Sequence, residues 1–285
     1  MKTIKYYFAS LLILLLFNCS RDLSNSDEFK SLIVVEGHID QGEYPIVYIT
    51  RNIPYYANID SADMLNLVLR QAKVVVSDEK QSEVLTLEFD QNHFPPFYYQ
   101  GTEIRGQVGK SYNLTIIYGK DTLTSTTTIP PIVKPDTAWL QPEKDNPEKC
   151  KLFVNIHDDP AITNYYRTFT CIAGVQKDFY PTLVSNFKDA LFNGEVNTFE
   201  LNRGLESYLN LSQRDFLFDI KDTVLLKFCT LDEAHFHYWQ SYQSELVNGS
   251  NPFASSFHSI LSNIHGNGIG IWGGYGVTIM KISFK

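Results

Sequence analysis

The chain has 285 residues, of which 44% are hydrophobic and 14% aromatic, and its formal net charge is −8 at pH 7. Nucleic-acid binding needs clustered lysine and arginine to neutralise phosphates, and this acidic chain has no long basic run, so nucleic acid is excluded as a partner. No apolar run of transmembrane length follows Phe17, which indicates a globular body with a large core.

The first eighteen residues have the layout of a secretory signal peptide. Lys2 and Lys5 precede an apolar stretch over residues 6–17, which is shorter than the roughly 20 residues that a spanning helix needs. The stretch stops at Cys19 without a small-x-small cleavage site, and in this it resembles a bacterial lipoprotein signal. We therefore expect residues 1–18 to be removed and Cys19 to carry lipid that anchors the chain in the outer membrane. The alternative is an ordinary cysteine in an uncleaved or differently cleaved leader.

Residues 19–30 are polar and have no periodicity, which is typical of a flexible tether between a lipid and a folded domain. Asp22, Asp27 and Glu28 weakly resemble the acidic export signals of surface lipoproteins. The sequence therefore leaves open whether the protein lies at the cell surface or on the periplasmic face.

Three strand pairs follow the tether. Residues 31–52 form two apolar strands around a turn at residues 40–42, and residues 71–90 form a second pair around Asp78. A third pair, over residues 110–130, turns at Gly119. One helix is predicted at residues 61–70 from apolar residues at three- and four-residue steps. This spacing predicts an immunoglobulin-like β-sandwich over residues 31–130.

Pro130, Pro131 and Pro135 then mark a predicted domain boundary, because prolines cannot donate ladder hydrogen bonds and hold the chain extended. Residues 131–285 contain further strand patterns and one amphipathic segment, which predicts a helix near residues 231–247 with acidic residues in its first turn. The predicted fold class is mainly β, with a sandwich domain followed by a second β-rich domain that carries one substantial helix.

No motif for catalysis is evident. The chain has neither a GxSxG elbow nor an HExxH helix, so we predict a protein that is not an enzyme and has no catalytic residues. Glu233 and His237 share a predicted helix face, but no third metal ligand is evident, and we predict no metal and no cofactor. Cys150, Cys171 and Cys229 cannot all pair, so they are either buried strand residues or one disulfide and one thiol.

Two stretches are candidates for ligand or partner binding. The first, "NHFPPFYYQG" at residues 92–101, either exposes an aromatic patch or fills the sandwich core with alternate rings. Its candidate residues are Phe94, Phe97, Tyr98 and Tyr99. The second is the glycine-rich stretch at residues 268–276, where Trp272 and Tyr275 could stack on a ligand. The preferred interpretation of this second stretch is a bend before the last strand, with Trp272 in the core.

Residues 251–277 carry a family resemblance. The segment contains Asn-Pro-Phe at 251–253, Ser-Asn-Ile at 262–264 and Gly-x-Gly-Ile-Trp-Gly-Gly-Tyr at 268–275. It resembles the C-terminal signature of a bacterial lipoprotein family known as domain of unknown function 4249. Members are typically encoded beside TonB-dependent outer-membrane receptors, which implies an accessory role in uptake.

Two hypotheses on function follow. In the first, the protein is a non-enzymatic accessory of a TonB-dependent nutrient receptor, which captures a small ligand or peptide or gates its entry; the receptor partner is implied by the resemblance alone. In the second, it is an envelope adhesion or assembly module without a transport role.

Overall fold

The computed structural model describes residues 29–54, 61–91, 93–157, 161–189, 196–204, 215–248 and 260–284. The predicted signal peptide, Cys19 and residues 251–253 of the signature lie outside these residues. The chain divides into two compact units, and the larger comprises Leu32–Asn52 and Asn58–Lys285. No helix among the described residues is long and apolar enough to cross a membrane.

The described residues are mainly β, as the sequence predicts. The two helices are α1 (Ser61–Asn66) and α2 (Glu233–Asn248). The strands are β1 Ile33–Asp40, β2 Ile46–Arg51, β3 Lys73–Ser77, β4 Ser82–Val84, β5 Thr86–Phe89, β6 Phe97–Gln100, β7 Ser111–Tyr118, β8 Asp121–Thr128, β9 Thr137–Pro142, β10 Lys149–His157, β11 Tyr165–Ile172, β12 Tyr180–Lys188, β13 Val196–Leu201, β14 Phe218–Asp219, β15 Thr223–Leu231 and β16 Gly268–Ser283.

An eight-stranded sheet runs in the order β12-β11-β15-β16-β1-β2-β6-β5. Its long strand β16 pairs in two ways. Residues 268–275 lie parallel to β1, with Gly268 opposite Ile33 and Tyr275 opposite Asp40. Residues 276–283 then lie antiparallel to β15. This sheet therefore takes strands from both sides of the boundary predicted at residues 130 and 131, because the end of the chain returns to its first strand.

Two smaller sheets cover one face of the eight-stranded sheet. The sheet β4-β3-β7-β8 packs its apolar residues, such as Val74 and Leu114, against Val35 of β1 and Ile49 of β2. The sheet formed by β9, β10, β13 and β14 packs residues such as Val154 against Phe228 of β15. The opposite face of the eight-stranded sheet is left for α2 and for the polar residues described below.

The local pairings predicted from turn residues are confirmed. The pairs β1 and β2, β3 and β4, and β7 and β8 are antiparallel hairpins. The second pair is shorter than predicted, since residues 86–89 form β5 and pair with β6 in the eight-stranded sheet. The predicted helix at 61–70 is too long, since α1 ends at Asn66. Residues 67–69 instead bond to β2, where the Leu69 amide donates to Ile49 (2.9 Å) and the Leu67 carbonyl accepts from Arg51 (3.0 Å).

The substantial helix predicted near residues 231–247 is confirmed as α2. Asp232 caps it, since its carboxylate accepts from the His235 amide at 2.8 Å and from the Thr127 hydroxyl at 2.7 Å. The second bond fixes the start of the helix to β8. The side chains of α2 thereby take fixed positions over β16 and β11.

Candidate functional site

The glycine-rich stretch lies inside β16, so its interpretation as a bend before the last strand is wrong. Its glycines are required by close packing. Gly270 has φ of +131°, and a Cβ there would lie 1.8 Å from the Val35 carbonyl oxygen of the neighbouring strand. A Cβ on Gly273 would lie 2.1 Å from the ring of His235. The glycines let β1 and α2 approach β16, and they do not present backbone to a ligand.

Trp272 is fully buried, with no exposed surface. Its indole Nε1 donates to the Tyr112 carbonyl at 2.9 Å, which joins β16 to β7. An exposed stacking position for Trp272 is therefore contradicted, because the side chain faces the core between the sheets. This is the core interpretation that the sequence favoured.

The Ser-Asn-Ile part of the signature closes an open edge of β16. The Asn263 side chain accepts from the Trp272 amide at 2.9 Å and donates to the Trp272 carbonyl at 2.7 Å. Ser262 binds the amide of Gly270 (3.0 Å) and its carbonyl (2.9 Å) in the same way. These side chains take the place of a neighbouring strand where β16 pairs only with β1, so this part of the signature is also structural.

Tyr275 is also buried, with 4% of its surface exposed. Arg167 donates to its hydroxyl at 2.8 Å, and the ring of His235 lies 4.5 Å from its ring. Burial raises the pKa of Tyr275 to about 12, although the Arg167 charge opposes the rise. Tyr275 thus holds an internal polar cluster together in this structure. Its role in ligand binding stays a prediction.

The charges of this cluster are paired or stacked. Arg167 lies 3.3 Å from the ring centre of Trp239 and is 6% exposed. Lys227 forms a buried ion pair with Asp40. Burial alone would lower the pKa of Lys227, but the Asp40 carboxylate contributes to a net rise, so Lys227 stays charged. Burial holds the pKa of His235 well below its usual value, so this ring is neutral at pH 7.

The aromatic stretch at residues 92–101 divides between core and surface. Tyr99 is 3% exposed, and its hydroxyl donates to the Leu69 carbonyl and accepts from the Ala72 amide, both at 2.9 Å. Tyr99 is therefore a core residue, because alternate side chains of β6 point to opposite faces. Phe97 and Tyr98 are partly exposed, and Phe94 is 66% exposed.

Phe89 and Phe97 form a ring pair at the sheet edge, and Phe94 is exposed in the connection between β5 and β6; we call these three residues the aromatic edge. Phe89 is 61% exposed, and its ring lies 4.9 Å from that of Phe97. Phe89 ends β5, the last strand of the eight-stranded sheet, and all four residues of β5 are exposed. Exposed rings beside an edge strand are typical of a surface that contacts a partner.

A second surface, which we call the Glu36 face, lies on the side of the sheet opposite the two small sheets. Glu36 is exposed although β1 is an interior strand, and it lies directly opposite Tyr48 in the register of β1 and β2. The Tyr48 ring stacks on His93 at 5.2 Å with 16° between the planes, and it lies 5.7 Å from Tyr98. Tyr238 and Tyr242 of α2 stack at 6.3 Å on the helix side.

Electrostatic interactions join both sides of the Glu36 face. Surrounding protein raises the pKa of the Glu36 carboxyl, while the charges of Arg167 and His93 oppose the rise. Burial also raises the pKa of Tyr48, Tyr238 and Tyr242, and the Glu36 charge adds to each rise. Glu36 is thus exposed to solvent yet close to other protein groups, and its charge acts on the β2 tyrosine and on the helix tyrosines. The hydroxyls around it are neutral at pH 7.

Sequence reasoning missed Glu36, Tyr48 and His93. A usable signal was present in β1, where apolar residues alternate with Glu36, His38 and Asp40. That alternation marks a polar face, but the tyrosines that border it come from β2, β6 and α2.

The predicted cysteine and metal features are also placed. Cys150, Cys171 and Cys229 are buried free thiols on β10, β11 and β15. Glu233 and His237 form an exposed contact at 3.5 Å on α2. Within the described residues, no three His, Cys, Asp or Glu side chains are grouped to hold a metal ion.

The sequence matches a known protein family over most of its length. Residues 21–280 match the family described as Domain of unknown function (DUF4249). No curated protein matches the chain. The match extends over every strand of the eight-stranded sheet, although the last three residues of β16 lie beyond it.

Proposed function

Since the chain belongs to the DUF4249 family, we propose that it is a non-enzymatic accessory of a TonB-dependent nutrient receptor in the outer membrane. The leader that stops at Cys19 supports a lipid anchor at this membrane. The family resemblance supports the receptor as the partner. In this role the protein captures a small ligand or peptide, or gates its entry into the receptor.

The aromatic edge is the observation that carries this proposal. Phe94 and Phe89 expose most of their surface at the end of a sheet, where a partner would bury them and gain roughly 25 cal/mol for each Å² of apolar area. The adjacent strand β5 has no further strand beside it among the described residues, so its backbone is available to a partner.

We also propose that residues 31–130 form an immunoglobulin-like β-sandwich and that residues 131–285 form a second β-rich domain, which share the eight-stranded sheet through the pairing of β16 with β1. The three N-terminal hairpins, and the packing of β3 and β7 against β1 and β2, support the sandwich. Limited proteolysis tests the division. Cleavage first in the tether at residues 19–30, and only later at residues 129–139, is expected.

Affinity purification from native outer membranes after mild detergent extraction tests the receptor proposal. We expect a TonB-dependent receptor to copurify with the wild-type chain, and we expect the Cys19→Ser variant to lose both the membrane and the receptor. Deletion of the gene should slow growth on the nutrient of that receptor.

The contrary outcome is equally concrete. If no receptor copurifies and growth is unchanged on every nutrient tested, the uptake proposal fails. Recovery of pilus or matrix proteins instead would favour the adhesion or assembly role. Mass spectrometry of the mature N-terminus tests the anchor separately, and an unmodified terminus at a residue other than Cys19 would contradict it. Protease treatment of whole cells then distinguishes the external from the periplasmic face.

A further inference from the structure

The Glu36 side chain is exposed on β1, which lies inside the eight-stranded sheet between β16 and β2. It has no hydrogen bond or ion pair with another described residue, although Tyr48 lies directly opposite it on β2. The Tyr48 ring lies beside that of Tyr98, and the Glu36 charge also acts on Tyr238 and Tyr242 of α2. A carboxylate without a protein partner is available to pair with a cationic group of a ligand.

Further carboxylates act on the Tyr48 side of this face. Asp90 and Asp178 act on the hydroxyl of Tyr48 together with Glu36. The guanidinium of Arg167, whose charge acts on Glu36, is already held by the ring of Trp239 at 3.3 Å and by its bond to the Tyr275 hydroxyl. The carboxylates on the Tyr48 side of the Glu36 face therefore disfavour anionic ligands and attract cations.

We propose that the Glu36 face binds an organic cation, namely an ammonium, amidinium or guanidinium group on a small molecule with an apolar or aromatic body. The carboxylate of Glu36 pairs with the cationic group. The ring faces of Tyr48 and Tyr242 attract the same charge through their quadrupoles and contact the apolar body. The inference rests on the proposed function in one respect, because this cation would be the ligand that the accessory protein captures.

Calorimetric titration of the full mature protein with p-aminobenzamidine, and separately with its neutral analogue p-aminobenzamide, tests the inference. The two probes share shape and ring and differ in charge. We expect the amidine to bind at least about tenfold more tightly than the amide, because only the amidine forms the charge-assisted pair with Glu36. Tetramethylammonium serves as a second cation that has no ring.

Four variants locate the site. Glu36→Gln should weaken amidine binding about tenfold and leave amide binding unchanged. Tyr48→Leu should weaken it severalfold, whereas Tyr48→Phe keeps the ring face and should bind nearly as well as wild type. Glu148→Gln, at an exposed carboxylate in the loop before β10, is the matched control and should have no effect. Equal unfolding midpoints exclude a folding defect.

Two results would overturn the inference. One is that neither p-aminobenzamidine nor tetramethylammonium binds at about 10 mM, a concentration that detects even very weak sites. The other is binding that Glu36→Gln leaves unchanged. The outcome is independent of the receptor test, because the purified protein can bind the cation even if no receptor copurifies. Likewise, a receptor can copurify even if the cation does not bind.

Discussion

Replacing Gly273 by alanine tests the interpretation of the family signature. The added Cβ would lie 2.1, 2.2 and 2.3 Å from three ring atoms of His235, well inside contact distance. His235 has little room to move, because its ring is buried at 4.5 Å from that of Tyr275 and its backbone amide is fixed by Asp232. Overpacking of this kind costs about 3 kcal/mol. In a chain of this size we expect the melting temperature to fall by about 6–12 °C.

A double-mutant cycle identifies the cause. His235→Ala alone should cost about 2–3 kcal/mol for the lost ring and the cavity. When His235→Ala is combined with Gly273→Ala, the new methyl group occupies part of that cavity. The double variant should therefore lose about 1–2 kcal/mol less stability than the sum of the two single losses. Urea unfolding followed by tryptophan fluorescence measures all four proteins. Strictly additive losses would refute a direct contact between the added methyl group and the His235 ring.

Three further predictions concern the same face and edge of the sheet. Asn263→Ala removes both bonds to the Trp272 backbone and should lower the free energy of unfolding by about 2 kcal/mol in urea titrations; a loss below about 0.5 kcal/mol would contradict the role of Asn263 as a substitute strand. Lys227→Met leaves the Asp40 carboxylate buried without its counter-charge and should lower the free energy of unfolding by about 3–5 kcal/mol. Adding Asp40→Leu to this variant should restore much of the lost stability. A double variant as unstable as Lys227→Met would disprove the pairing. Burial lowers the pKa of His235, so at a pH below the ordinary histidine pKa of about 6.5 the unfolded chain binds more protons than the folded chain. The free energy of unfolding should therefore fall as the pH drops below about 6.5, and the His235→Gln variant should show a smaller fall. An equal fall in the variant and the wild type would contradict this prediction.

Local features of the fold could be predicted from the sequence because their causes are local. The β1 and β2 hairpin follows from alternating apolar residues around Gly42, and β7 and β8 turn at Gly119, which has a φ of +60°. The helix α2 follows from its capping residue Asp232. In each case the residues that decide the structure lie within a few positions of one another.

The pairing of β16 with β1 could not be predicted in this way. It joins residues more than 200 positions apart, such as Val35 and Gly270. The glycines of β16 looked like a bend in the sequence, since what they accommodate, the Val35 backbone and the His235 ring, comes from distant elements. Burial of Trp272 has the same origin.

The candidate sites show a similar division. The partial exposure of Tyr98 and the burial of Tyr99 depend on which face of β6 meets the core, which the aromatic pattern alone left open. The Glu36 face depends on four elements, β1, β2, β6 and α2, that meet only in the folded chain, so single-sequence patterns do not reveal it.

Site-specific photo-cross-linking in living cells tests the central proposal most directly. The residue p-benzoylphenylalanine is placed at Phe94, which is 66% exposed on the aromatic edge, or at the control position Trp139, which is 37% exposed on β9. After irradiation, we expect a covalent adduct with a TonB-dependent receptor from position 94 and none from position 139. Equal adducts from both positions, no adduct from position 94, or an adduct with a pilus or matrix protein would contradict it.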